Sequence, residues 1–144
     1  MKPLLKNEVP MLKVGIDIHG VATDATGFFQ ELTKTLVEAG HEVHIITGPP
    51  AELARREVEA LGLSYTHLFS IVDHHIAAGT PITVDSRGHV FCEDYLWDRT
   101  KADYCLKNGI QLHLDDSDAY NYFFKTPYAR FYSKTKRTHY VKAD

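Results

Sequence analysis

The chain has 144 residues, 44% of them hydrophobic and 24% charged, with a formal net charge of -3 when its histidines are neutral. Its length fits one domain over residues 1–144, able to bury about two-thirds of its unfolded surface. Two cysteines, Cys92 and Cys105, do not make a disulfide scaffold, no run approaches the roughly 20 apolar residues of a membrane span, and the net charge gives no global attraction to nucleic acid. The first residues, with scattered charges and no apolar leader core, point to a cytoplasmic protein.

After a lead-in to Pro10, Met11 to Asp17 reads as a buried strand that stops at a carboxylate. A Gly-containing turn follows, with Asp24 as a candidate helix cap or substrate contact, and Phe28, Leu32, Leu36 and Val37 recur at helical spacing up to Gly40. Glu42 to Ile46 reads as a second strand closed by Thr47-Gly48-Pro49-Pro50, and Ala51 to Leu61 as a second helix ended by Gly62. Strand, helix, strand, helix predicts a parallel sheet with helical crossovers.

From Ser64 to Trp97 the pattern is less regular. An apolar piece near Leu68 to Val72 leads into a His-containing stretch through Gly79, and two short runs around a turn with Gly88 predict a hairpin. Arg99 to Lys107 reads as a helix capped by Asn108-Gly109, and Ile110 to Leu114 as a strand ending in Asp115-Asp116. The tail is aromatic (Tyr120, Tyr122, Phe123, Phe124, Tyr128, Phe131, Tyr132, Tyr140), which suits packing better than base stacking. It is also basic (Lys125, Arg130, Lys134, Lys136, Arg137, Lys142), as a solvated face or as a patch for phosphate or nucleic acid.

Three strands therefore end in polar groups: Asp17, Thr47 and the Asp115-Asp116 pair. Strand ends of a parallel sheet share one edge, where open α/β sheets bind ligands. Carboxylates gathered there repel one another unless a cation intervenes, and oxygen donors favour magnesium.

Four segments, in order, resemble the motifs of the haloacid dehalogenase (HAD) superfamily: Asp17-Ile18-His19-Gly20-Val21, His44-Ile45-Ile46-Thr47-Gly48, Lys101 in Trp97-Asp98-Arg99-Thr100-Lys101, and Leu112-His113-Leu114-Asp115-Asp116. The resemblance implies a three-layer α/β sandwich around a mostly parallel, Rossmann-like sheet, with a small hairpin insertion and no full cap domain. It further implies a magnesium-dependent phosphohydrolase working through an aspartyl-phosphate on Asp17. Thr47 and Gly48 would hold the phosphoryl group and Lys101 would offset its charge; Asp17, Asp115, Asp116 and the main-chain carbonyl of His19 would hold Mg2+, with the direct ligand of the Asp pair left open.

His19 stands where superfamily phosphatases carry the Asp that serves as acid and base. Imidazole can do that work near neutral pH, so Asp17, His19 and Lys101 form the expected catalytic set. The competing expectations are a degenerate, non-hydrolytic phosphate binder and a nucleic-acid end-processing phosphatase using the basic tail. Motif I is similar to that of small capless sugar-acid phosphatases, and Asp115-Asp116-Ser117 to the 5'(3')-deoxyribonucleotidases, which leaves the phosphomonoester open. His74 and His75 fall where the superfamily places substrate-selecting insertions and are candidate substrate contacts. For His41, His44, His67, His89, His113 and His139 a structural role is expected. A capless cleft would be open unless a second copy covered it, so a homo-oligomer is admissible.

Overall fold

The computed structural model describes residues 10–132. The basic tail beyond Tyr132, with Tyr140 and His139, and the lead-in up to Val9 lie outside the described residues. The strands are β1 (Lys13–Ile16), β2 (Glu42–Thr47), β3 (His67–Ser70), β4 (Thr83–Val84), β5 (Val90–Phe91), β6 (Leu112–Asp115) and β7 (Tyr128–Arg130). The helices are α1 (Thr26–Glu38), α2 (Ala51–Ala60), α3 (Ile71–Ala78), α4 (Asp94–Asn108) and α5 (Asp118–Asn121).

Five strands form one sheet in the order β3-β2-β1-β6-β7, and every pairing in it is parallel. Helices flank this sheet, which is the α/β architecture expected from the alternating elements. Successive residues of β2 serve opposite faces, as a strand requires. Val43 and Ile45 join Phe29 of α1 and Ala54 and Val58 of α2 in one core, whereas Ile46 packs with Cys105 of α4 and Ile110 in the other. Buried on both faces, β2 can be apolar almost throughout. β4 and β5 form the separate antiparallel hairpin expected around Gly88.

Several boundaries differ from the sequence reading. α4 starts at Asp94, more than a turn before Arg99, because Asp94 sits favourably in the first turn of a helix although Asp94 to Asp98 shows no apolar period. The piece from Leu68 to Val72 is split: β3 ends at Ser70, whose side chain caps α3 by accepting from the Asp73 amide. His74 and His75 thus lie on a helix, closed by Gly79 at φ 73°. Asp24 does not cap α1; Ala25 holds the cap position, and Asp24 instead accepts from the Thr23 hydroxyl at 3.1 Å. β7 was not expected, since three residues after Pro127 are too short to show a period of two. Cys92 and Cys105 are both buried free thiols. None of the described helices is long and apolar enough to cross a membrane.

Gly15 sits in the central strand, where β1 must lie close against its neighbours. A Cβ there would come within 2.7 Å of His113 Nδ1 and 2.8 Å of Ile46 Cδ1. Gly15→Ala is therefore expected to destabilise the fold by about 1–3 kcal/mol through overpacking. Urea unfolding checks this, and an unchanged midpoint would contradict it.

Candidate functional site

Asp17 directly follows β1, Thr47 ends β2 and Asp115 ends β6, so pairing β1 with both neighbours gathers the three polar ends on one edge. Beside them opens a cleft of about 700 Å³ whose lining includes Asp17, His19, Thr47, Gly48, Lys101 and Asp116. Lys101 is only 2% exposed. It reaches across from α4 to place Nζ 3.1 Å from Asp17 Oδ1 and to donate to Asp115 Oδ2 at 2.7 Å. The same ammonium lies 4.9 Å from the centre of the Tyr120 ring, a cation–π contact.

Asp115 is fully buried and its oxygens are already engaged. Oδ2 also accepts from His113 Nε2 at 2.9 Å, and Oδ1 accepts from the Ser117 amide at 3.2 Å. The buried His113 Nδ1 faces the space a Gly15 side chain would fill. Burial holds the His113 pKa below its ordinary value, so this ring brings a hydrogen bond without a charge. For Asp115, burial pushes the carboxyl up, but Lys101 and His113 outweigh it and hold the group well below the usual carboxylate range. For Lys101, burial acts to lower the pKa, yet Asp17 and Asp115 keep it above that of an ordinary lysine.

Asp17 ends differently. Burial pushes it up to about 7, and the opposing pull of Lys101 is partly cancelled by Asp115 and Asp116. The side-chain oxygens of Asp17, Asp115 and Asp116 can all lie within 4.8 Å of one another. Among these groups one ammonium faces three buried carboxylates, and oxygen donors in that charge state could hold a metal ion. Asp115 does not line the cleft, whereas Asp116 does. It also packs against the turn after β1. Gly20 has φ 79°, and a Cβ on it would fall 2.1 Å from Asp116 Oδ2. Both the backbone conformation and the contact require glycine there.

Thr47 is fully buried, and its hydroxyl has no hydrogen-bond partner. An unsatisfied buried hydroxyl is costly, so its position on the cleft lining signals a ligand oxygen. Gly48 beside it leaves room for the Trp97 ring, 3.0 Å from where a Cβ would stand. The His19 ring turns toward α2, with Nε2 2.5 Å from Glu57 Oε2.

His74 and His75 are not brought to this cleft. They line a second groove with Phe69, Leu96, Arg99 and Tyr104, and His75 is tied to Thr80 at 2.9 Å and Thr100 at 2.8 Å. A further cluster of metal-ligating types, Glu42, His44 and His67, is internally matched: Glu42 takes His44 at 2.8 Å and Lys13 at 3.9 Å, and the two imidazoles stack. Of the basic tail, Arg130 donates to the main-chain oxygen of Asp116 and pairs with Asp118.

Sequence reasoning missed Glu57, Tyr120, Trp97 and His113. Two of these carried a signal: Trp97 lies one helical turn before Lys101, and His113 lies two strand positions before Asp115. Glu57 and Tyr120 reach the site only through tertiary packing.

In the metal-free protein the folded chain holds the Asp17 proton more tightly than the unfolded chain, with a pKa of about 7 against 3.8. That contribution to stability is complete below the unfolded value and is lost as pH rises through the folded one. In a chelator, Asp17→Asn should therefore gain in melting temperature relative to wild type as pH rises from about 5 to about 8. Parallel melting curves across that range would contradict the assigned burial of this charge. No protein-family model, curated protein or solved structure matches the chain.

Proposed function

We propose that the chain is a magnesium-dependent phosphomonoesterase of HAD type that forms an aspartyl-phosphate on Asp17. One observation carries this reading: the buried, unpartnered Thr47 hydroxyl shares a cleft with an aspartate held by a buried lysine. A phosphoryl group is a ligand that satisfies all three at once. Thr47 Oγ1 donates to one of its oxygens, Lys101 Nζ balances its charge, and Asp17 attacks phosphorus as the alkoxy oxygen departs.

Asp17, Asp116 and the main-chain carbonyl of His19 would hold magnesium, with Asp115 behind them, fixed by Lys101 and His113. Bound there, the ion supplies positive charge against the carboxylates and the phosphoryl oxygens. Glu57 accepts from His19 Nε2 and so orients the ring, leaving Nδ1 as the atom that hands a proton to the leaving oxygen and later takes one from water. Water then breaks the acyl-phosphate bond, returning Asp17 and releasing phosphate.

A second reading is favoured by one feature: the His19 ring is about half exposed and engaged with Glu57 rather than with the aspartates. On that reading the chain binds phosphate without turnover.

Phosphate release from a panel of phosphomonoesters with magnesium separates the two. Turnover is expected for wild type, with a loss of at least about a thousandfold in Asp17→Asn and about a hundredfold in His19→Ala. Undiminished turnover in Asp17→Asn would overturn the mechanism. A silent wild type with activity gained in His19→Asp would establish the binder.

A further inference from the structure

The cleft continues past the phosphoryl-binding end into walls of a different character. Its lining there includes Pro50 and Leu53 of the β2–α2 connection and α2, Phe91 of the hairpin and Trp97 of α4. Phe91 and Trp97 meet with ring centroids 5.5 Å apart at 46°. Leu53 is 50% exposed and Phe91 43% exposed. Large apolar side chains left open in the lining of one cleft have surface still to bury, and here a ligand entering the cleft is what could cover it.

The Trp97 indole N–H is already used, donating to the Tyr120 hydroxyl at 3.0 Å, so this ring offers the ligand carbon surface rather than a donor. Charge narrows the ligand further. Among the described residues lining the cleft, Lys101 is the one lysine or arginine, and it is committed to Asp17 and Asp115. At the rim the charged partner of His19 is Glu57, which repels a second anionic group. A substrate with two phosphates or a carboxylate would meet no second lysine or arginine among these residues.

Building on the phosphomonoesterase reading, we infer that the substrate class is a phosphomonoester with a single phosphate and an uncharged planar ring, the ring packing on the apolar lining of Leu53, Phe91 and Trp97. Two sources share this chemistry, a nucleoside monophosphate and an aryl phosphate. Flat apolar walls select either over polyol phosphates, because stacking contributes only when a ring is present.

Trp97 is the only tryptophan of the chain, so its fluorescence reports occupancy of this wall in the intact protein. With magnesium present, phenylphosphonate and methylphosphonate carry the same anionic head and differ in the ring. Phenylphosphonate is expected to bind at least about tenfold more tightly and to perturb Trp97 emission, and Phe91→Ala and Leu53→Ala should each reduce that ratio. Phe91→Leu, checked for folding by circular dichroism, separates loss of the ring from loss of the hairpin.

Equal affinity for the two phosphonates overturns the inference, as does tighter binding of a nucleoside diphosphate than of its monophosphate. Displacement of phenylphosphonate by thymidine 5'-monophosphate more effectively than by phenyl phosphate identifies the nucleoside source, and the reverse order identifies the aryl source. Ring-selective binding without phosphate release from any ester would leave this inference standing and defeat the catalytic reading. Phosphate release with no selectivity for a ring would do the opposite.

Discussion

The buried ammonium of Lys101 is the constraint around which the rest is built. Three carboxylates gathered at the ends of β1 and β6 repel one another, and a single cation set between Asp17 and Asp115 makes the gathering tolerable. Removing one partner of such a buried pair characteristically costs about 3–5 kcal/mol, because the other charge is left uncompensated. The fold supplies that cation from α4, which packs in the core on the other side of the sheet from α1 and α2, and the ammonium lies over the Tyr120 ring. The neutral His113 completes the shell around Asp115 without adding charge.

That arrangement divides the two aspartates at the end of β6 by role. Asp115 is saturated by lysine, imidazole and amide, so it acts as an anchor that fixes the ammonium. Asp116 lies on the cleft lining against a turn that only glycine can make. The charge deficit that Lys101 leaves is what invites a divalent cation, and the orphaned Thr47 hydroxyl is what invites a ligand oxygen. These are separate demands on one cleft, and in the function proposed above a phosphoryl group with its metal would answer both.

The sheet and the strand-end residues were legible in the sequence because both rest on local signals. Apolar runs that stop at a carboxylate or a threonine announce buried parallel strands, and Asp17, Thr47, Lys101 and the Asp115-Asp116 pair do converge, with Lys101 binding two of them directly. What could not be read was set by packing between distant elements. Glu57 meets His19 only because α2 lies over the turn after β1, and β7 is too short to carry a period. His74 and His75 stood at a plausible position in the chain, but the immediate passage from β3 into α3 turns them toward α4 and away from the cleft. The helix start at Asp94 was hidden because acidic residues in a first turn favour a helix electrostatically and leave no apolar stripe.

The central place of β1 has a consequence for how the molecule comes together. Its neighbours are β2, which follows after one helix, and β6, which arrives near the far end of the described chain. Lys13 and Gln111, 98 residues apart, share a hydrogen bond across that second seam. Closing so long a loop costs chain entropy before any contact repays it, which places this seam among the slow steps of folding. Asp17 and Thr47 can meet early, across β1 and β2, whereas Lys101, Asp115 and Asp116 join only when the long loop closes. The half of the cleft that could hold an ion is thus a property of the completed fold, and any cation held there would stabilise the native chain alone.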